Sequence, residues 1–228
     1  MQIDDLTTAH LADACIRAGL PVRCGPSGLQ AVAAGMRVAG RVLPVRHAGS
    51  VDLYLEALET AAPGDVLVVD NDGLLAEACV GDLVALEVAS AGLAGIVIWG
   101  LHRDTADIVE IGLPVFSLGS TPTGPLRVQP AAADALVAAT IGDHTVSAQD
   151  VVIADEDGVL FVEAASIDRV VGIARQIRDT ERRQAELIRG GRSLREQVRF
   201  AEYLAARAEN PELTFRQHLT STGGAIEV

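Results

Sequence analysis

Three observations predict an α/β fold with a helical C-terminal extension. Short apolar runs alternate with amphipathic segments between residues 38 and 118, as strands and helices do in βαβ units. Residues 125–163 then hold mostly β-type segments separated by turn residues, and the chain reads as helical from residue 166. Hydrophobic residues are 49% of the 228, enough for a sizeable core, but aromatics are only 3%, so Ala, Val, Leu and Ile must do the packing.

Taken in order, Thr7 or Thr8 can cap a first helix whose apolar positions Leu11, Ala14, Cys15 and Ala18 recur at helical spacing before Gly19. After a Gly- and Pro-rich loop, residues 38–45 alternate as a strand, and 52–61 read as a helix closed by Pro63-Gly64. Residues 66–70 form a continuous apolar run of the kind fully buried strands show. A helix at 83–91, a strand at 95–99, a short helix at 105–111 and a strand at 115–118 continue the alternation. The segments GDVLVVDNDGLL (64–75) and QDVVIADEDGVL (149–160) echo one another, and each reads as strand, Asp-x-Asp-Gly turn, returning strand. Neither has the ligand ladder and closing Glu of an EF-hand, so Asp155 and Asp157 read as turn residues. A helix with apolar positions Ile167, Val170, Val171, Ala174 and Ile177 runs to Gly190-Gly191. Ser193 and Glu196 form a capping box that starts another helix to about Ala208, and the tail shows no clear period. The domain boundary expected is 1–165 for the α/β core and 166–228 for a helical extension that packs on a neighbouring subunit or back on its own core, the first being favoured.

Charge and composition exclude several classes. Lys plus Arg is 18 against 31 for Asp plus Glu, a net charge of −13, so no polyphosphate backbone is expected as a partner. Three cysteines (Cys15, Cys24 and Cys79) form no CxxC pair, which argues against a disulfide framework or a structural zinc site. The histidines His10, His47, His102, His144 and His218 show no HxH or HxxxH spacing, and only His102, beside Arg103, is retained as a supporting group. The start MQIDDLTTAH lacks the basic and apolar regions of a signal peptide, and no apolar run reaches membrane-span length, so a cytoplasmic protein is expected. All eighteen cationic side chains are arginine. Without lysine, a Schiff-base aldolase or a pyridoxal enzyme is excluded.

Chemistry concentrates between Gly81 and Asp107. Asp82 sits where an N-cap or first-turn acid belongs, and the helix start offers free amides from Leu83 and Val84 to a carboxylate or phosphate. Arg103 and Asp104 follow a buried strand, at the carboxyl edge where open α/β sheets hold ligands. A helix followed by an adjacent strand brings the chain back to its starting point, so Asp82 and Arg103-Asp104 are expected side by side.

These residues carry a resemblance. The stretch GDLVALEVASAGLAGIVIWGLHRDTADI, with PGDVLVVD before it and LPVFSLG after it, resembles the RraA-like family. That family includes metal-dependent 4-hydroxy-4-methyl-2-oxoglutarate aldolases, which also act on 4-carboxy-4-hydroxy-2-oxoadipate. Their signature is Asp, twenty residues, Arg-Asp, two residues, then an acid; here it falls on Asp82, Arg103, Asp104 and Asp107. The resemblance implies an α/β/β/α sandwich with a swivelling β/β/α type core, assembled into trimers or hexamers with active sites at subunit boundaries. It implies Asp104 as the direct ligand of Mg²⁺ or Mn²⁺ and Arg103 as the grip on a pyruvyl carboxylate and keto oxygen. The amides of Gly81, Asp82, Leu83 and Val84 hold the same carboxylate, and Asp82 positions a water on the metal that shuttles protons. An acid from a neighbouring subunit's C-terminal helix is also implied, and Glu181 is the candidate.

Two functions follow from the resemblance. One is a class II, pyruvate-releasing lyase on a small 2-oxo acid, with oxaloacetate decarboxylation as a side activity. The other is an RraA-type regulator that inhibits ribonuclease E by docking on it, for which an acidic surface would suit. The carboxylates of Asp82 and Asp104, with about sixty residues beyond an RraA-sized core, favour the enzyme.

Overall fold

The computed structural model describes residue 3 and residues 5–222. Helix α1 (Thr8–Arg17) precedes the two-residue strands β1 (Arg23–Cys24) and β2 (Gln30–Ala31) and the long strand β3 (Val38–Arg46). There follow α2 (Asp52–Leu58), β4 (Val66–Asp70), β5 (Ala78–Val80), α3 (Asp82–Ser90) and β6 (Gly95–Trp99). Next come β7 (Leu101–His102), α4 (Thr105–Ile111) and β8 (Val115–Ser117). The β-rich stretch supplies β9 (Ala138–Ile141), β10 (His144–Ser147), β11 (Asp150–Asp155) and β12 (Gly158–Glu163). A short 3-10 turn leads into α5 (Ile167–Arg189), then α6 (Leu194–Gln197), α7 (Phe200–Glu209) and α8 (Phe215–Thr222).

Eight strands form one sheet in the order β1-β12-β11-β3-β4-β6-β8-β2. The centre, β3-β4-β6-β8, is parallel and the flanks are antiparallel. Strands β1 and β2 stand at opposite ends of that order, yet only residues 25–29 separate them. At ~3.5 Å per residue the two edges lie within about 20 Å of each other, so the sheet must curl. Both faces of its centre are covered, which is why β4 reads as an unbroken apolar run. Leu67, Val69, Ile96, Ile98 and Val115 pack with Tyr54, Ala57, Ala85, Val88 and Ile108 of the helices. Val66, Val68, Val97 and Phe116 pack inside the curl with Ile141, Val146, Val152 and Phe161. Each Val, Leu, Ile or Phe side chain among them contributes about 1.5–3 kcal/mol by leaving water.

The chain divides into two compact units, residues 1–8 with 22–167 and residues 9–21 with 168–228. The sequence boundary at 165/166 thus falls two residues before this division, and residues 9–21 lie in the helical unit. Among the described residues no helix is long and apolar enough to cross a membrane.

Three local expectations need correction. The echo at 64–75 and 149–160 is a shared turn but not a shared hairpin. In both, an Asp side chain accepts from the amide two residues on, Asp72 N to Asp70 Oδ1 at 3.0 Å and Asp157 N to Asp155 Oδ1 at 3.1 Å. Only β11 turns back, into β12; β4 is already flanked by β3 and β6, so no returning strand can pair with it. The helix expected from Ser193 to Ala208 has its capping box but breaks at Arg199, which adopts a left-handed φ of 50°. The break frees the Val198 carbonyl to accept from His218 Nε2 at 2.9 Å. Finally, the segment without a clear period forms α8 through residue 222, while residues 223–228 lie outside the described set.

Candidate functional site

A two-stranded parallel ladder, separate from the main sheet, builds the site. Val80 of β5 pairs with His102 of β7, and the Arg103 amide donates to the Val80 carbonyl at 2.9 Å. Ala78, Cys79, Val80 and Leu101 are buried, so apolar packing sets this register. Two residues beyond Val80 the chain reaches Asp82; immediately beyond His102 it reaches Arg103 and Asp104. The expected juxtaposition is therefore present, with the Asp82 amide 3.4 Å from Asp104 Oδ2.

Gly81 is the N-cap of α3 and Asp82 its first residue, so Asp82 is a first-turn acid and makes no cap bond. A β-carbon on Gly81 would lie 2.5 Å from Asp104 Oδ2 and 3.1 Å from Arg103 Nε. Glycine is needed here because two functional side chains occupy the space a larger residue would fill. Asp104 occupies the N-cap position of α4 in a left-handed conformation, φ 58° and ψ 42°, and its carboxylate makes no capping bond there. That backbone costs about 1 kcal/mol even for Asp, which tolerates it better than most residues. The carboxylate instead faces the start of α3, near Arg103 Nε at 3.3 Å, and stays about one third exposed. The Arg103 guanidinium and the Asp82 amide at the start of α3 both approach it, an arrangement suited to anions and to a hard cation held by Asp104 itself.

His102 holds this turn from beneath. It is buried, with Nδ1 2.8 Å from Ser117 Oγ and Nε2 2.9 Å from Thr105 Oγ1. Ser117 Oγ donates to the Gly119 carbonyl, which leaves it an acceptor toward His102. Neutral His102 therefore carries its proton on Nδ1 and accepts from Thr105, the first residue of α4. Burial pushes its pKa below the ordinary histidine value, against a hydrogen bond with Gly119 and the nearby Asp104 charge.

Leu83 and Val84 meet the site only through the helix start; their side chains line an apolar groove with Val51, Tyr54, Leu55 and Leu58. Cys79 is buried and its thiol pushed up to about 12 by that burial, so it is no nucleophile. Glu181 Oε2 lies 3.1 Å from His10 Nε2 within the helical unit. Among the described residues no group of three or more His, Cys, Asp and Glu could hold a metal, so any ion at Asp104 keeps most of its waters.

Sequence reasoning missed a second polar network at the same carboxyl edge, past β3 and β4. Arg127 donates from Nε to Glu77 at 3.2 Å, from Nη1 to Asp72 at 3.3 Å and from Nη2 to Asn71 Oδ1 at 3.2 Å. Glu77 also accepts from the Leu126 amide at 2.6 Å, and His47 Nδ1 lies 3.0 Å from Asn71 Oδ1. Because a guanidinium only donates, the Asn71 atom facing it is oxygen, and His47 Nδ1 must carry a proton. The available signal was Glu77 itself, a lone acid in the apolar run LLAEACV.

The RraA-like family profile, described as Aldolase/RraA, matches residues 8–161. A protein of Aromatoleum aromaticum, provisionally named a 4-hydroxy-4-methyl-2-oxoglutarate aldolase, is 36% identical over 126 residues, 55% of this chain and 78% of its own. A Dechloromonas aromatica protein of the same provisional name is 34% identical over 122 residues, 54% of this chain and 74% of its own. Among solved structures, an uncharacterized Pseudomonas syringae protein superposes with a TM-score of 0.75 at 28% identity, covering 86% of this chain and 94% of that one. Streptomyces coelicolor RraAS2, described as an unusual member of the RNase ES inhibitor RraA protein family, gives 0.69 at 29% identity, covering 79% and 91%.

Proposed function

The chain belongs to the RraA-like family, and from that premise we propose that it is a divalent-metal-dependent pyruvate aldolase, a lyase acting on 4-hydroxy-4-methyl-2-oxoglutarate or a related 4-hydroxy-2-oxo diacid. The observation that carries this reading is the Asp104 carboxylate, withheld from capping its own helix and set against Gly81 and the Arg103 guanidinium. Its donor chemistry fits Mg²⁺ or Mn²⁺: one carboxylate open to solvent and, among the described residues, no nitrogen or sulfur cage. When bound, such a cation supplies Lewis acidity toward the 2-keto oxygen and carboxylate of the substrate.

The protein's own residues do the rest. Arg103 binds the pyruvyl carboxylate, assisted by the first amides of α3, and holds it as charge develops on the fragment that becomes pyruvate. Asp82 acts through a water, taking the proton of the 4-hydroxyl as the bond between C3 and C4 breaks and returning a proton to C3. Oxaloacetate decarboxylation uses the same charge stabilisation and is the expected side activity. The working particle is a homotrimer or hexamer.

The test is coupled detection of pyruvate from a panel of 4-hydroxy-2-oxo diacids and oxaloacetate, with and without Mg²⁺. Pyruvate release from none of them favours the regulator reading, to which the likeness to RraAS2 points.

Two variants probe the parts. Arg103→Lys keeps charge but loses the planar fork, so KM rises and kcat falls together, by ~10-fold or more in kcat/KM. Unchanged kcat/KM removes Arg103 from carboxylate binding. Gly81→Ala melts within a few degrees of the parent but displaces the Asp104 carboxylate, and kcat/KM falls at least ~10-fold. Parental activity in that variant shows that the close approach at Gly81 is dispensable.

A further inference from the structure

The segment 118–129 is a strap that crosses the site, and two of its backbone ties go to the strands β5 and β7 that lead to site residues. The Thr121 amide donates to His102 O at 3.0 Å, and the Ala78 amide donates to Thr123 O at 2.8 Å. The Gln129 amide closes the strap on Ala48 O at 2.8 Å. Between these ties Gly124 lies against Arg103: a β-carbon on it would stand 3.0 Å from Arg103 Nη1. The strap's deepest anchor is Glu77, whose side chain is only 4% exposed and which immediately precedes β5, the strand leading to Asp82. Glu77 spends one oxygen on the Leu126 amide and the other on Arg127 Nε. Burial alone would raise the Glu77 pKa, but these hydrogen bonds and the Arg127 charge bring it below the ordinary carboxylate value. Each Arg127 nitrogen already has a partner, so this cation is committed to holding the strap rather than to a ligand.

We propose that Glu77 and Arg127 are positioning residues for Arg103, their ion pair fixing the strap so that Gly124 forms the wall that aims the Arg103 guanidinium. This rests on the reading of Arg103 as the carboxylate-binding group. Neither Glu77 nor Arg127 touches substrate; both act through the backbone between Thr123 and Leu126.

The test follows the Arg103 Nε–H by nitrogen-15 NMR, its signal assigned by its loss in Arg103→Lys, alongside kcat and KM for pyruvate release. Glu77→Gln keeps the acceptor for Leu126 but turns a donor toward Arg127, so the strap loosens. The Arg103 signal then shifts or exchange-broadens, and KM rises ~10-fold while kcat moves less. Gly124→Ala, which pushes on Arg103 without touching the ion pair, gives the same two changes, and the double variant is less than additive. Arg127→Lys, which keeps charge without the fork, repeats the measurement should Glu77→Gln not fold. A folded Glu77→Gln or Arg127→Lys protein with the parental Arg103 signal overturns the proposal, whatever its melting temperature. The NMR readout needs no turnover. A protein that releases no pyruvate yet shows the shift loses the aldolase reading and keeps the clamp; one that releases pyruvate with Arg103 unmoved does the reverse.

Discussion

Asp104→Ala abolishes pyruvate release, to below ~0.1% of the parental rate, and leaves both the fold and the particle mass by light scattering unchanged. The magnitude follows from the several kcal/mol of charge stabilisation a metal supplies in the transition state, at about 1.4 kcal/mol per decade of rate. The fold is spared because the carboxylate contributes little to it: its contacts, 3.3 Å to Arg103 and 3.4 Å to the Asp82 amide, are long, and it caps nothing. The remaining cost is backbone strain, since alanine at a φ of 58° is disfavoured by about 1–2 kcal/mol. Asp104→Asn avoids that strain, because Asn tolerates the left-handed region, and it is equally inactive because it loses the anionic ligand. Chelation of the parent with EDTA gives the same loss, restored by Mg²⁺ or Mn²⁺. Full activity in EDTA, or in either variant, removes the metal mechanism.

Asp82→Asn loses at least ~100-fold in kcat, the scale of acid–base assistance, with KM for substrate and affinity for pyruvate nearly unchanged. The separation follows from the proposed mechanism, in which Asp82 serves the substrate through water, whereas Arg103 meets a carboxylate present throughout the reaction. Gly81, not Asp82, is the N-cap of α3, so the variant forfeits only a first-turn charge on the helix dipole, about 0.3–1 kcal/mol. Circular dichroism should show a melt lowered by no more than about 1–4 °C. Turnover at the parental rate would leave Asp82 as a helix-stabilising acid alone and shift weight to the regulator reading.

The parts of this molecule legible in the sequence are those where one physical cause acts locally. Strands β4 and β6 and helix α4 begin and end where apolar runs and turn residues say they do, because both sheet faces are buried and the pattern is unambiguous. The approach of Asp82 to Arg103 and Asp104 was also legible, but for an incomplete reason. A helix and an adjacent strand do return the chain to one edge, yet the register is fixed by the short β5–β7 ladder, too brief to leave a period. What could not be read depends on partners far apart in sequence. The left-handed turn at Asp104 is flanked by the hydrogen bonds of His102 to Thr105 and to Ser117, the latter 15 residues away. The pairing of Glu77 with Arg127 joins positions 50 residues apart, and the break at Arg199 answers to His218. Asp155 read as a turn residue and is one, but it also receives the Thr8 amide at 2.8 Å and the Thr8 hydroxyl at 2.6 Å.

That last pair of hydrogen bonds spans 147 residues, and the curl of the sheet spans nearly as many, with Arg23 of β1 paired to Phe161 of β12. During synthesis the first thirty residues therefore leave the ribosome long before their partners exist. At ~5–20 residues per second, β1 waits many seconds for β12, while the parallel centre can already begin to assemble. Until β11 arrives, β3 carries an unpaired edge over Val38–Arg41, the kind of surface that recruits other chains. Topology of this sort folds slowly. A chain cut before residue 150 thus loses more than its last helices: it keeps the Asp82–Asp104 segment but has no way to close the sheet, and aggregation during expression is the outcome to expect.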